Sequence, residues 1–228
     1  MATPSERLYA RVRSAVESTP AATTRTRTRI IAALAIVPTL TTLVVLIASG
    51  LVYGQPAAGL DVDVASSTAA LTLLSLLVGL ALASSAFALW QGRSGLGIAS
   101  MWLVSIAALV APVYAALTVL QPLHSGAADD MSLTGVAISP WGLRCIFIAS
   151  IVGASVLAIF AVTLRRAVAV AVGLRGAALG AAAGGWAGLA VFAFCPSGEL
   201  QHLLVGHVLP IVLLTLCGVR IFQVWIRV

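Results

Sequence analysis

Six apolar runs occupy most of this chain, and most of its arginines stand on alternate sides of them. The runs are Ile30–Tyr53, Ser66–Trp90, Leu96–Val119, Leu143–Val162, Leu174–Phe194 and Leu203–Trp225. Each reaches about 20 residues, enough to cross ~30 Å of hydrocarbon as an α-helix. All 13 basic residues are Arg. Arg7, Arg11, Arg13, Arg25, Arg27 and Arg29 precede the first run, Arg93 follows the second, Arg165, Arg166 and Arg175 follow the fourth, and Arg227 follows the sixth. The loops between carry Asp61 and Asp63, then Asp129 and Asp130 with Arg144 at the far edge, then Glu199. Basic residues are retained in cytoplasmic loops, so both termini are expected in the cytoplasm. Lipid cannot satisfy an open backbone, so the expected fold is an all-α integral membrane protein, a six-helix transmembrane bundle.

Composition leaves little else. The chain is 61% apolar and 9% charged, and its longest polar segment is the first 29 residues. It therefore divides into a cytoplasmic segment, 1–29, and a transmembrane domain, 30–228. A net charge of +6 would suggest nucleic acid in a soluble protein, but here the one-sided arginines account for it, and no direct nucleic-acid binding is expected. The first run is too long and too late for a cleaved signal peptide. Abundant Ala and Arg with no Lys suggest a GC-rich bacterial genome, hence a bacterial inner membrane.

The polar segment begins with a helix signal. Thr3 can cap, Pro4 suits the first helical position, and Glu6 stands three residues after the cap. Leu8, Val12 and Val16 follow at i, i+4 and i+8, while Arg7, Arg11 and Arg13 fall on other faces. A short amphipathic helix over Pro4–Ser18 is expected, ended by Pro20. It can dock into a groove on a partner, or it can lie on the membrane with its apolar face in lipid. In the fifth run, Gly176, Gly180, Gly184 and Gly188 stand at four-residue steps and give one helix face only small residues. Tight packing inside the bundle is one use of such a face; homodimerisation is the other.

No Asp, Glu or Lys lies within any run, which argues against a proton pump or secondary transporter. No triad spacing or phosphate loop is present, and no enzymatic activity is expected. Cys145 opens the fourth run and Cys195 closes the fifth, so both belong at the same depth on the outer face, in adjacent antiparallel helices. That side is oxidising. The two are read either as a redox pair or thiolate metal site, or as two unrelated buried thiols. His202 and His207 lie near the same surface, and two Cys with two His could make a tetrahedral metal site. Residues five apart do not share a helix face, although Pro210 could distort the helix enough to change that. The other reading has both histidines hydrogen-bonded within the bundle. Cys217 is expected to be an inert packing residue.

Arg144-Cys145, the closing Leu164-Arg165-Arg166, the glycine-rich fifth run and the stretch from Cys195-Pro196 to His207 together resemble the NrsF-type membrane anti-sigma factors, the negative regulators of sigma-F. The likeness is close in the second half of the chain; in the first half it is one of layout. It implies a six-span inner-membrane protein that holds an extracytoplasmic-function (ECF) sigma factor inactive and takes part in a stress response. Two periplasmic cysteines act in sensing in that family, and Cys145 and Cys195 match them in spacing and side. With a sigma factor as partner, the amphipathic helix is expected to dock Leu8, Val12 and Val16 into a groove, with Arg11 beside them toward acidic sigma surface, and an external redox, metal or light-derived signal is expected to release it. No resident cofactor is expected, although a Zn-, Cd- or Cu-type ion could bind transiently at the cysteines. The light-responsive anti-sigma class of carotenoid regulation has a similar outline. The alternative function is a small transporter or metal-handling protein using His202, His207 and the cysteines.

Overall fold

A computed structural model describes residues 68–89, 100–120, 140–164, 171–195 and 200–225, together with isolated positions in the first fifty residues. The helices are α1 (Thr68–Leu89), α2 (Ser100–Leu120), α3 (Pro140–Leu164) and α4 (Val172–Phe194). After them come α5 (Leu200–Leu203), a π-helical turn (Leu204–Val208) and α6 (Leu209–Trp225). The last three run on as one helical segment of 26 residues. No strand occurs among the described residues. Among the described residues, five segments are long and apolar enough to cross a membrane, and they coincide with the last five apolar runs to within a few residues. The first run contributes helical positions at Ile36, Thr39, Leu40 and Ile47, and the remainder of it lies outside the described residues. So do both termini and most of the expected amphipathic helix, of which Glu6, Ala10, Arg13 and Ser14 are helical.

Local chemistry moves some of the boundaries. Helix α3 starts at Pro140, three residues before the apolar run, because proline lacks the N–H that a first helical residue leaves unused and has a helical φ built in. Helix α4 starts beyond Ala171, which adopts the left-handed conformation with φ 56° and ψ 53°. The Ala171 carbonyl then accepts from the Arg175 N–H at 3.0 Å, closing the first turn.

Helix α4 is the centre of the bundle. Its apolar span is 89% buried, against 22–50% for the other four, and it packs on α1, α2, α3 and α6. The glycine steps explain how one helix takes so many neighbours. Gly176 lies against the Gly218 carbonyl and Phe222, Gly180 against the Leu214 backbone, and Gly184 so close to Ile211 that an added Cβ would stand 2.7 Å from its Cγ2. The small-residue face is thus occupied within the chain, by α6, rather than left for a second copy. Gly185 faces Ala81 of α1, and Gly188 faces the ring of Tyr114 on α2.

Several buried polar side chains are paired inside the bundle, as an apolar solvent favours. The Trp186 indole donates to Ser85 at 3.1 Å, and Ser85 donates to the Ala81 carbonyl at 2.6 Å, tying α4 to α1. The outward faces carry Leu76, Phe87, Met101, Phe147, Val162 and Leu216, a surface suited to lipid. Cys217 departs from its expected place: it is exposed, on the outer side of α6 rather than packed in the core. Hydropathy made every position of that run look alike, so the sequence carried no signal for the helix's rotation.

Candidate functional site

Cys145, Cys195, His202 and His207 meet at one end of the bundle, where α3 begins, α4 ends and the last segment begins. One donor atom from each lies within 4.8 Å of every other. All four are buried, with exposures of 1%, 2%, 2% and 3% in that order. Each position has a local cause. Cys145 sits in the second turn of α3, which Pro140 initiates. Cys195 is the residue just past α4, where the backbone turns extended (φ −87°, ψ 122°) while its N–H still donates to the Val191 carbonyl at 2.8 Å. That bond holds the sulfur over the end of α4 rather than out in the loop.

The histidines owe their meeting to the π-helical turn. At 3.6 residues per turn, positions five apart point about 140° away from each other. A π turn takes up one extra residue, so His202 and His207 return to one face. The Leu209 N–H bonds to the Leu204 carbonyl, five residues back. Pro210, directly beyond, has no N–H to give to the Gly206 carbonyl, which removes the α-helical bond that would otherwise compete. The two imidazoles pack edge to face with centroids 5.5 Å apart. Gly206 brings the turn's backbone against the cluster: a Cβ there would lie 3.4 Å from both the Cys145 Cβ and the His202 Nε2.

Hydrogen bonds set the protonation pattern. The Cys195 sulfur and His202 Nε2 are 3.0 Å apart. Cys145 beside it, seconded by His202 and His207, holds Cys195 below the ordinary thiol range against the opposing effect of burial. On the other side, the Tyr114 hydroxyl lies 2.9 Å from the Gly188 carbonyl and 3.1 Å from His207 Nδ1. A carbonyl can only accept, so the single phenolic hydrogen goes to Gly188. In the neutral ring, Nδ1 of His207 is then the donor to the phenol oxygen, and the lone pair falls on Nε2. That Nε2 is buried and has no hydrogen-bond partner.

The structure therefore brings together both candidate cysteines and both histidines. Leu8, Arg11, Val12 and Val16 lie outside the described residues. Tyr114 was not among the residues singled out from sequence, and Gly188 was singled out only as part of the small-residue face. Tyr114 was visible as a hydroxyl in the middle of an apolar run, but its partner lies 93 positions away on another helix. Gly188 was read as packing, and its carbonyl is what sets the tyrosine's hydrogen.

A family model described as negative regulator of sigma F matches residues 15–227, nearly the whole chain. Leu8, Arg11 and Val12 precede the matched region; Val16 and the four residues of the cluster fall within it. No curated protein and no solved structure matches the chain.

Proposed function

The chain belongs to the NrsF family of negative regulators of sigma F, and on that premise we propose that it is an anti-sigma factor of the bacterial inner membrane. Its cytoplasmic segment, 1–29, sequesters an ECF sigma factor, and an external signal acting at Cys145 and Cys195 releases it. The family match over residues 15–227 carries this reading. The one-sided arginines support it by placing the polar segment inside and the cysteine end outside. Leu8, Val12 and Val16 form the apolar stripe that enters a groove on the sigma factor, and Arg11 borders it.

Input and output then stand on opposite sides of one membrane, and the helices join them. The cluster ties α3, α4 and the last segment at the outer end, while the glycine seam from Gly184 to Gly176 holds α4 against α6 toward the inner end. A seam of backbone contacts with few interlocking side chains suits two nearly equal packings. Moving such an equilibrium from 1:99 to 99:1 takes about 5.5 kcal/mol of differential interaction. Thiolate–metal bonding is of that scale: structural zinc sites contribute about 10–16 kcal/mol.

Co-purification tests the output side. Tagged full-length protein in membranes should retain one of the host's ECF sigma factors, each expressed with an epitope tag. A variant lacking residues 1–29 should lose at least about tenfold of that capture. Undiminished capture by the shortened chain would sink the docking claim. The metal-handling alternative draws on the same buried cluster, and uptake of Zn(II) into proteoliposomes separates the two, because an anti-sigma factor moves nothing.

A further inference from the structure

We propose that Cys145, Cys195, His202 and His207 form a four-coordinate site for a thiophilic d10 divalent ion of the Zn(II) or Cd(II) class, with Tyr114 as the residue that orients His207. Three independent observations converge on it. The donor set is two sulfurs and two imidazole nitrogens, the set that selects tetrahedral zinc-type ions. The spacing is close to that of a loaded site. Bonds of about 2.3 Å to sulfur and 2.0–2.1 Å to nitrogen imply tetrahedral edges of roughly 3.3–3.8 Å. Donor atoms already within 4.8 Å of one another need side-chain adjustments of about an ångström. The third observation is the His207 lone pair: Nε2 is buried, unpartnered and held in its acceptor form by the hydrogen bonds on the far side of the ring.

The outer ring of contacts is also of the kind metal sites use. Ligating histidines commonly donate their other N–H to an oxygen that fixes ring orientation and raises ligand basicity. Here that oxygen is the Tyr114 hydroxyl, itself anchored on Gly188. Gly188 has no room for a side chain, since a Cβ would stand 2.6 Å from the tyrosine ring. Charge balance fits a site at the edge of an apolar bundle. When the ion binds, the two thiols give up two protons to water, and two thiolates with two neutral imidazoles cancel a divalent charge. No net charge is then buried. A redox pair alone explains the cysteines but leaves the histidine geometry, the π turn and the oriented lone pair without a role.

The inference gives a ligand class to the sensory cluster proposed above and rests on that reading for its biological consequence only. Binding itself is read on the purified full chain in detergent, reduced beforehand, by titration with Co(II) and then with Zn(II) in competition. One equivalent of Co(II) per chain should bind, with the visible bands of a tetrahedral sulfur–nitrogen site, and Zn(II) should displace it. Cys145→Ser, Cys195→Ser, His202→Gln and His207→Gln should each weaken binding by tenfold or more, whereas Cys217→Ser should not change it. Tyr114→Phe keeps all four ligands and should weaken binding about 10–100-fold with the tetrahedral bands retained. Helicity by circular dichroism identifies any variant that has not folded, and for such a position His→Asn and Cys→Ala replacements are read instead. Absence of thiolate-to-cobalt charge transfer, or wild-type affinity in both histidine variants, would overturn the four-ligand site. Failure of sigma capture in membranes would leave the cobalt spectrum untouched, so the two claims fail separately.

Discussion

Cells carrying Cys145→Ser together with Cys195→Ser should no longer respond to the inducer, while repression in its absence stays intact. The argument is one of chemistry at nearly constant volume. Serine matches cysteine in shape, and both positions are almost fully enclosed, so packing at the ends of α3 and α4 is preserved. Volume is nearly conserved, and a hydroxyl at Cys195 can bond to His202, which offsets the cost of burying it. What disappears is the thiolate: the double variant can neither form a disulfide nor hold a soft metal ion, so no signal of either kind can shift the bundle. Transcription from a sigma-dependent promoter, measured with and without inducer, should fall from full induction to none. A normal induced level would remove the cysteines from the sensing step.

Gly180→Val should break the bundle itself. The α-carbon of Gly180 faces backbone, not a flexible side chain: an added Cβ would meet the Leu214 carbonyl and stand 2.8 Å from the Thr215 Cα. Nothing local can yield, so α6 must move off α4 along the seam. Overpacking of even one or two methylenes costs about 1–3 kcal/mol, and displacement of a whole helix costs more. Against total stabilities of about 5–15 kcal/mol, that is a large share. Thermal unfolding in detergent should show the loss, and basal repression should weaken with it. Gly79→Ala is the contrast. Gly79 has nothing within 4 Å of its added Cβ, and alanine's better helix propensity, by up to about 1 kcal/mol, should leave stability unchanged or slightly raised. Equal effects of the two substitutions would contradict the seam.

These expectations mark where sequence was legible. Length and hydropathy located Leu143–Val162 and Leu174–Phe194 because an apolar run of that size has few other uses. The glycine steps at 176, 180, 184 and 188 announced close helix contact for a steric reason that holds in any surroundings. Rotation about each helix axis was not legible. In a soluble bundle the polar face tells which side is inside, but here Phe147 faces outward and Ile148 inward with equally apolar side chains. Exposure of Cys217 and the pairing of Tyr114 with His207 both depend on such rotations. The histidine spacing was the hardest to judge, since five residues apart excludes a shared face on a regular helix. Pro210 was the one sequence sign that the helix was not regular, and the π turn is its consequence.

The proposed function rests on a link between the cysteine–histidine cluster and the N-terminal segment, and fractionation of cells tests that link in one step. Cd(II) is added to intact cells that express a tagged ECF partner, and the sigma factor is measured in the membrane and soluble fractions. The account predicts a membrane-bound sigma factor before addition, transfer to the soluble fraction afterwards, and no transfer in cells carrying Cys145→Ser/Cys195→Ser. A sigma factor that stays on the membrane in wild-type cells after both Cd(II) and the thiol oxidant diamide, or one that leaves equally in the double variant, would contradict it.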